Sequence, residues 1–131
     1  MKEEKKIQNE LSYFLDTYAM IEIAKGNQKF EKYLDHNLFT CLYNIYELYY
    51  TLLKDFNEKI AREFFYQFKK IAVQIKDEHI FEASRFKLKN YIKKFSYADC
   101  LGYAIALDFG IKFLTGDKEF QDLDNVEFIE K

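Results

Sequence analysis

Four acidic residues stand where a hydrophobic run of the sequence gives way to the next element: Asp16, Glu47, Asp99 and Asp117. Asp16 is the next-to-last residue of the run LSYFLDT, and Asp117 is the last residue of IKFLTGD. Glu47 and Asp99 each come three residues after a residue that is suited to begin a helix, Asn44 and Ser96. Carboxylates that meet at one place repel each other and raise each other's pKa unless a cation or a proton neutralises them. Hard oxygen ligands of this kind suit Mg²⁺ or Mn²⁺ better than zinc.

Each of these acids also has a simpler interpretation as a helix cap. NIYE and SYAD resemble capping boxes, in which an acid at the third helical position accepts a hydrogen bond from the backbone N–H of the first residue. Asp117 is placed to cap the segment KEF. Both interpretations stay open for each acid alone, whereas four acids on one surface favour a metal site.

The composition predicts one domain with a substantial core. The chain has 131 residues, of which 49% are hydrophobic. We predict a polar N-terminal leader at residues 1–10 and a single domain at residues 11–131. Its 20 basic and 22 acidic residues leave a formal charge of -2, so an anionic substrate would need a local basic patch or a metal.

The leader, MKEEKKIQNE, lacks the hydrophobic region of a secretory signal, and no apolar run approaches the roughly 20 residues of a membrane helix. Cys41 and Cys100 lie far apart in apolar runs without CxxC spacing, which indicates buried thiols. We therefore predict a soluble cytoplasmic protein without a membrane association.

Short apolar runs alternate with segments of helical periodicity along the chain. The predicted strands are residues 11–17, 37–43, 72–76, 111–117 and 126–130. The predicted helices are residues 18–27, 28–35, 44–56, 57–71, 77–94 and 96–110. This alternation predicts an α/β fold, a three-layer α/β/α sandwich with a mostly parallel central sheet.

In such a sheet, strand ends and helix starts collect along the carboxyl edge, which is the usual position of a functional site. All four acids are predicted to face this edge. Lys118 follows Asp117 directly and is the best candidate for a phosphate contact.

Other features of the sequence have ordinary explanations. The basic residues Arg85, Lys87, Lys89, Lys93 and Lys94 either guide an RNA backbone or complement a helix dipole, and the second interpretation is favoured. His36 and His79 have no companion at ligand spacing and are predicted to lie at the surface. P-loop, GxGxxG and GxSxG motifs are absent from the sequence.

The helices at residues 44–56 and 57–71 carry more aromatic residues than one core-facing stripe needs. These aromatic residues are Tyr46, Tyr49, Tyr50, Phe64, Phe65, Tyr66 and Phe68. These side chains fill a generous core or cover a partner, and the sequence leaves both interpretations open.

The segments FLDTYAMIEI, NIYELYY, FSYADCLGYAIALDFGIKFLTGDKEF and VEFI resemble, in order and spacing, the PIN-domain ribonucleases, and especially the VapC toxins of prokaryotic toxin–antitoxin pairs. The resemblance implies a PIN-like nuclease domain in which Asp16, Glu47, Asp99 and Asp117 coordinate one or two Mg²⁺ or Mn²⁺ ions. It implies water attack on an RNA phosphodiester, a homodimer and a cognate antitoxin. Family members often add a hydroxyl near the first acid and a further acid after the last. Thr17 fits the first position, and Asp122 or Glu119 is a candidate for the second.

Two other functions are also compatible with the sequence. One is a PIN-like scaffold without catalytic activity that only binds a partner. The other is a metal-binding signalling module like a receiver domain, although the chain has no adjacent acid pair after its first strand and no obvious phospho-acceptor in its middle.

Overall fold

The computed structural model describes residues 11–130, so the predicted leader at residues 1–10 lies outside the described residues. Four strands are present in this part of the chain: β1 (Ser12–Leu15), β2 (Asn37–Phe39), β3 (Lys112–Thr115) and β4 (Val126–Phe128). Five α-helices accompany them: α1 (Thr17–Ala24), α2 (Leu42–Asp55), α3 (Glu58–Lys69), α4 (Asp77–Lys89) and α5 (Tyr97–Phe109). Two 3₁₀ helices occupy Gln28–Tyr33 and Lys118–Phe120.

The four strands form one sheet in the order β2-β1-β3-β4, and every pair is parallel. This confirms the prediction of a parallel α/β sheet. From β1 the chain crosses to β2 on one side, and it later returns to β3 on the other side of β1. The order of the strands therefore reverses between β1 and β3, and the crevice outside the carboxyl ends of these two strands is where open α/β sheets bind ligands.

Helices cover both faces of the sheet, as the three-layer prediction requires. Tyr13 and Leu15 of β1 pack with α1, α2 and α3, whereas Phe14 packs with α4 and α5. This alternation follows from the two-residue period of a strand. Phe113 and Leu114 of β3 divide between the two faces in the same way. A strand buried on both faces has no polar alternation, which is why its sequence is a continuous apolar run.

Several predicted elements differ from those observed. Residues 72–76 form no strand, because only Ala72 bridges to Thr40. The helix predicted to start at Asn44 begins at Leu42, with Cys41 as its cap, and the strand predicted up to residue 43 ends at Phe39. The helix predicted for residues 77–94 ends at Lys89.

The predicted surface position of His79 is also wrong, because its side chain is 2% exposed. Its Nδ1 accepts a hydrogen bond from the backbone N–H of Lys76 at 3.0 Å, so Nε2 carries the proton and donates to Asp108 Oδ2 at 2.8 Å. His79 thus joins the start of α4 to α5. The predicted burial of the two thiols, Cys41 and Cys100, is confirmed. None of the helices within residues 11–130 is long and apolar enough to cross a membrane.

The small residues of α5 bring this helix close to the sheet. A Cβ atom at Gly102 would lie 2.6 Å from Phe14 Cε1 and 3.2 Å from Phe113 Cε1, and both rings lie in the core. It would also lie 3.2 Å from Asn44 Oδ1 of α2. Gly102 is therefore required for space at the contact between α5 and the sheet.

Gly102→Ala is expected to lower the free energy of unfolding by about 1–3 kcal/mol, because overpacking a dense core forces the rings or the backbone to move. Chemical denaturation of the variant checks this. Leu107→Ala is the control, since Leu107 lies on the same helix and is exposed. A Gly102→Ala variant as stable as the parent protein would contradict the close packing.

Candidate active site

Asp16 lies at the carboxyl end of β1, at the point where the strand order reverses between β1 and β3. Leu15 pairs with Leu114, so Asp16 follows the end of β1 beside Thr115. Its Oδ1 accepts a hydrogen bond from the backbone N–H of Ala19 at 2.7 Å and caps α1, and its Oδ2 accepts one from the Thr115 hydroxyl. The side chain is only 1% exposed. The first acid is therefore held rigidly by a helix start and by the neighbouring strand.

Asp117 is joined to Asp16 through Thr115. The backbone N–H of Asp117 donates to Thr115 Oγ1 at 3.0 Å, and this hydroxyl donates to Asp16. The Asp117 Oδ1 accepts a hydrogen bond from the backbone N–H of Glu119 at 3.0 Å, so the predicted cap of the segment KEF is confirmed. Thr115 was not singled out in the sequence, although its place at the end of a buried strand, two residues before an acid, was a usable signal.

Asp99 forms the predicted capping box with Ser96. The Asp99 backbone N–H donates to Ser96 Oγ at 3.0 Å, and the Ser96 backbone N–H donates to Asp99 Oδ2 at 3.0 Å. The start of α5 therefore orients this carboxylate. Asp16, Asp99 and Asp117 each cap a helix and also belong to the group of acids at the carboxyl edge of the sheet, so the two interpretations are not alternatives.

The predicted capping role of Glu47 is wrong, because α2 starts two residues earlier than expected and Glu47 lies within it. The side chain instead faces the start of α1, where Glu47 Oε1 accepts a hydrogen bond from Thr17 Oγ1 at 2.8 Å. Asn44 is buried and donates from Nδ2 to the same hydroxyl at 3.3 Å, and it accepts from the Cys41 thiol. Asn44 is thus a support of the site rather than the helix cap that its sequence position suggested.

A cleft of about 380 Å³ opens over these acids. Its lining residues are Asp16, Tyr18, Asp99, Gly116, Asp117, Lys118 and Phe128. Glu47 and Thr17 line a second cavity with Tyr46, Tyr50 and Thr51. The cleft therefore contains three of the four predicted acids together with the predicted phosphate contact Lys118, and the fourth acid, Glu47, is close enough to Asp99 to raise its pKa.

The electrostatics of the cleft show that the carboxylates are close neighbours. The pKa of Asp16 is raised to about 8, chiefly by burial and in part by the charges of Asp99 and Asp117, while the hydrogen bonds from Thr115 and Ala19 oppose the rise. The pKa of Asp99 is raised to about 6, chiefly by burial and in part by the charges of Glu47 and Asp117, while hydrogen bonds with Ser96 oppose the rise. Both acids retain protons at a higher pH than ordinary aspartates do. A cation would relieve this repulsion.

Within residues 11–130, no three side chains of His, Cys, Asp or Glu are arranged as a ready-made metal site. Hydrogen bonds engage both oxygens of Asp16 and one oxygen each of Glu47, Asp99 and Asp117. The donor set nevertheless fits a hard divalent cation, since it consists of carboxylate oxygens that repel each other in a partly buried cleft.

Glu119 and Asp122, the candidates for a further acid, are exposed and do not line the cleft.

Two members of the basic run at residues 85–94 are hydrogen-bonded to backbone carbonyls. Lys87 Nζ donates to Phe95 O at 2.6 Å, and Lys93 Nζ donates to Glu119 O at 2.9 Å. These two lysines tie the segment before α5 to its surroundings.

The protein is thus an α/β protein with an all-parallel sheet. Its candidate site is an acid-lined cleft where the strand order reverses, with carboxylates that come from two strand ends and one helix start. The model of the PIN domain family matches residues 13–126, and the chain belongs to this family. The resemblance noted in the sequence is thereby confirmed.

Solved structures of VapC proteins and of a toxin–antitoxin complex share the fold. VapC20 of Mycobacterium tuberculosis, described as a sarcin–ricin loop cleaving toxin, matches with a TM-score of 0.75 and 13% identity over 88% of this chain and 97% of that one. VapBC2 of Rickettsia felis, bound to a promoter DNA fragment, matches with a TM-score of 0.70 and 16% identity over 91% and 98% of the two chains. A toxin–antitoxin complex from Klebsiella pneumoniae matches with a TM-score of 0.69 and 17% identity over 88% and 95%. No curated protein sequence matches the chain.

Proposed function

We propose that this protein is an endoribonuclease of the toxin–antitoxin type, which hydrolyses RNA phosphodiester bonds with the help of Mg²⁺ or Mn²⁺. The observation that carries the proposal is the buried Asp16 at the switch point of the sheet, with Asp99 and Asp117 close enough to raise its pKa. Membership of the PIN family and the shared fold with the toxin VapC20 support a nuclease.

Asp16, Glu47, Asp99 and Asp117 are the residues that would hold one or two divalent ions. A bound divalent ion lowers the pKa of water and stabilises charge on a phosphoryl group, which is the chemistry needed for in-line hydrolysis. The protein contributes a rigid frame for the ligands: helix starts orient Asp16 and Asp99, and Thr17 orients Glu47. Hydrolysis of this type leaves a 3′-hydroxyl and a 5′-phosphate.

Lys118 is the side chain best placed to hold the RNA backbone. It is exposed, lines the cleft and belongs to the 3₁₀ helix that begins after Asp117. Because the chain as a whole is slightly acidic, a cation beside the site provides the local attraction for phosphate that the net charge does not provide.

Cleavage of a labelled RNA with and without divalent ions tests the proposal. The parent protein is expected to cut in Mg²⁺ or Mn²⁺ and to stop when EDTA is added. Asp99→Asn is expected to lose about 10³-fold or more of the rate, since a carboxylate of the site loses its charge, while the Asn oxygen still accepts from the Ser96 N–H. Undiminished cleavage by Asp99→Asn, with an unchanged circular dichroism spectrum, would reject the assignment.

An apolar groove beside the site supports a protein partner. It has a volume of about 950 Å³ and lies between the start of α2, α4 and α5. Several of its large apolar side chains are mostly exposed, among them Leu88, Tyr91 and Tyr97. Exposed apolar surface of this extent is typical of an interaction site. Glu47 and Ser96 also line the groove, so an occupant would lie against the candidate site.

We assign this groove to an apolar segment of a cognate antitoxin, and we also propose a homodimer. The neighbours from Rickettsia felis and Klebsiella pneumoniae were solved as complexes, which supports a partner of this kind. Leu88→Asp is expected to weaken copurification of the product of a neighbouring small reading frame at least tenfold without reducing RNA cleavage. Light scattering of the isolated chain measures the oligomeric state. Full retention of the partner by Leu88→Asp would place the antitoxin elsewhere.

A further inference from the structure

Gly116 and Tyr18 are in unusually close contact at one wall of the cleft. A Cβ atom at Gly116 would lie 2.1 Å from Tyr18 Cε1 and 2.7 Å from Cδ1 and Cζ. No side chain larger than hydrogen fits there unless the ring moves. Gly116 joins the end of β3 to Asp117, so the Tyr18 ring is seated on the backbone that carries one of the acids.

The cleft thus has two chemically different parts. Asp16, Asp99 and Asp117 form the acidic part, and the rings of Tyr18 and Phe128 form the aromatic part. Both rings are only half-buried, so part of each remains available to a ligand. Metal ions and phosphates make no use of an aromatic surface, whereas a nucleobase stacks on one.

We propose that Tyr18, seated on Gly116, is a specificity-determining residue that stacks an unpaired nucleobase next to the scissile phosphate, with Phe128 completing this base subsite. The inference rests on the proposed ribonuclease function and deepens it. Lys118 lies in the same cleft and is placed to hold the phosphate of that nucleotide. A volume of about 380 Å³ lies in the range of small-ligand pockets, about 300–1,000 Å³, and accommodates a single nucleotide rather than a duplex.

Base pairing would hide the face that Tyr18 contacts. The bond cut by the protein therefore has an unpaired nucleotide on at least one side, and removal of that base removes the benefit of Tyr18. This coupling between one base and one side chain separates a stacking role from a purely structural one.

The experiment compares two oligoribonucleotides that share one mapped cleavage site, one intact and one with abasic riboses on both sides of the scissile bond. Four proteins are assayed: the parent protein, Tyr18→Leu, Tyr18→Phe and the control Tyr66→Leu. Tyr66 is exposed on α3 and does not line the cleft. Thermal melting establishes that each variant is folded.

The parent protein is expected to cleave the abasic oligonucleotide with a kcat/KM about tenfold lower, since stacking is worth about 1–3 kcal/mol per base. Tyr18→Leu is expected to cleave the intact substrate about tenfold more slowly and to show no preference between the two substrates. Tyr18→Phe and Tyr66→Leu keep the preference of the parent protein.

Equal loss by Tyr18→Leu on both substrates, or an undiminished preference for the intact one, would overturn the base subsite while leaving the ribonuclease function intact. Absence of cleavage of either oligonucleotide by the parent protein in Mg²⁺ and Mn²⁺ would instead overturn the proposed function, and the base subsite with it.

Discussion

Asp16→Asn is expected to reduce the rate of RNA cleavage by about 10³-fold or more while the protein stays folded. Asp16 is the most buried of the four acids, and the charges of Asp99 and Asp117 both raise its pKa. Loss of its charge removes a central ligand from the proposed metal site, and about 4 kcal/mol of lost transition-state stabilisation corresponds to this factor.

The fold should tolerate the change because Asn preserves the cap of α1. An Asn oxygen can accept the hydrogen bond from the Ala19 N–H, and the Asn amide can donate to Thr115 Oγ1 in place of the present hydrogen bond. The substitution also removes a carboxylate whose ionisation is disfavoured by burial. Without divalent ions at pH 8, we therefore expect Asp16→Asn to melt at a higher temperature than the parent protein.

Initial rates on a labelled RNA and thermal melting without divalent ions measure the two effects. Asp35→Asn is the matched control, because Asp35 is exposed and lies before β2, at the amino edge of the parallel sheet and away from the cleft. It is expected to change neither quantity. Retention of more than about one-tenth of the parent activity by Asp16→Asn would argue against a metal-ligand role for this residue.

The free energy of unfolding without divalent ions is expected to fall as the pH rises from about 4 to about 8. In the unfolded chain Asp16 ionises near pH 3.8, whereas in the fold its pKa is about 8. Between these values the folded state binds the extra proton, and stability therefore decreases with rising pH. Asp99, with a folded pKa of about 6, contributes in the same direction over the lower part of this range.

Divalent ions should reverse this loss. At pH 8 Asp99 is ionised and about half of Asp16 is, so protons compete only weakly with a metal ion. A free ion concentration 100 times the dissociation constant stabilises the folded state by about 2.7 kcal/mol. For a chain of this size that amounts to a rise in melting temperature of roughly 10 °C. At pH 5 protons compete for the same groups, so the rise should be much smaller.

Melting curves at pH 5 and pH 8, with EDTA or with Mn²⁺, test this expectation. Asp16→Asn should show a weaker pH dependence in EDTA and a smaller effect of Mn²⁺. Equal stabilisation by Mn²⁺ at both pH values, in the parent protein and in Asp16→Asn alike, would show that the ion binds elsewhere.

Local sequence determined the elements that carry the acids. β1 and β3 are buried on both faces and therefore read as continuous apolar runs that end next to Asp16 and Asp117. The Ser96 capping box and the left-handed Gly110 delimit α5 by interactions within a few residues of the chain. Since parallel strands meet at one carboxyl edge, placement of these acids together followed from the order of the elements alone.

The tertiary structure decided what depends on contacts between distant residues. Asn44 looks like a helix cap, but it is buried beneath Thr17 and the helix starts before it. Residues 72–76 have the composition of a strand, yet their pairing is confined to one isolated bridge between Ala72 and Thr40, just beyond the end of β2. His79 can be buried because Asp108, 29 residues away in the sequence, accepts a hydrogen bond from its Nε2. The contact of Gly116 with Tyr18 likewise depends on how β1 and β3 are paired. Hydrophobic pattern and capping encode local structure, whereas burial and side-chain partners are set only when distant segments of the chain pack together.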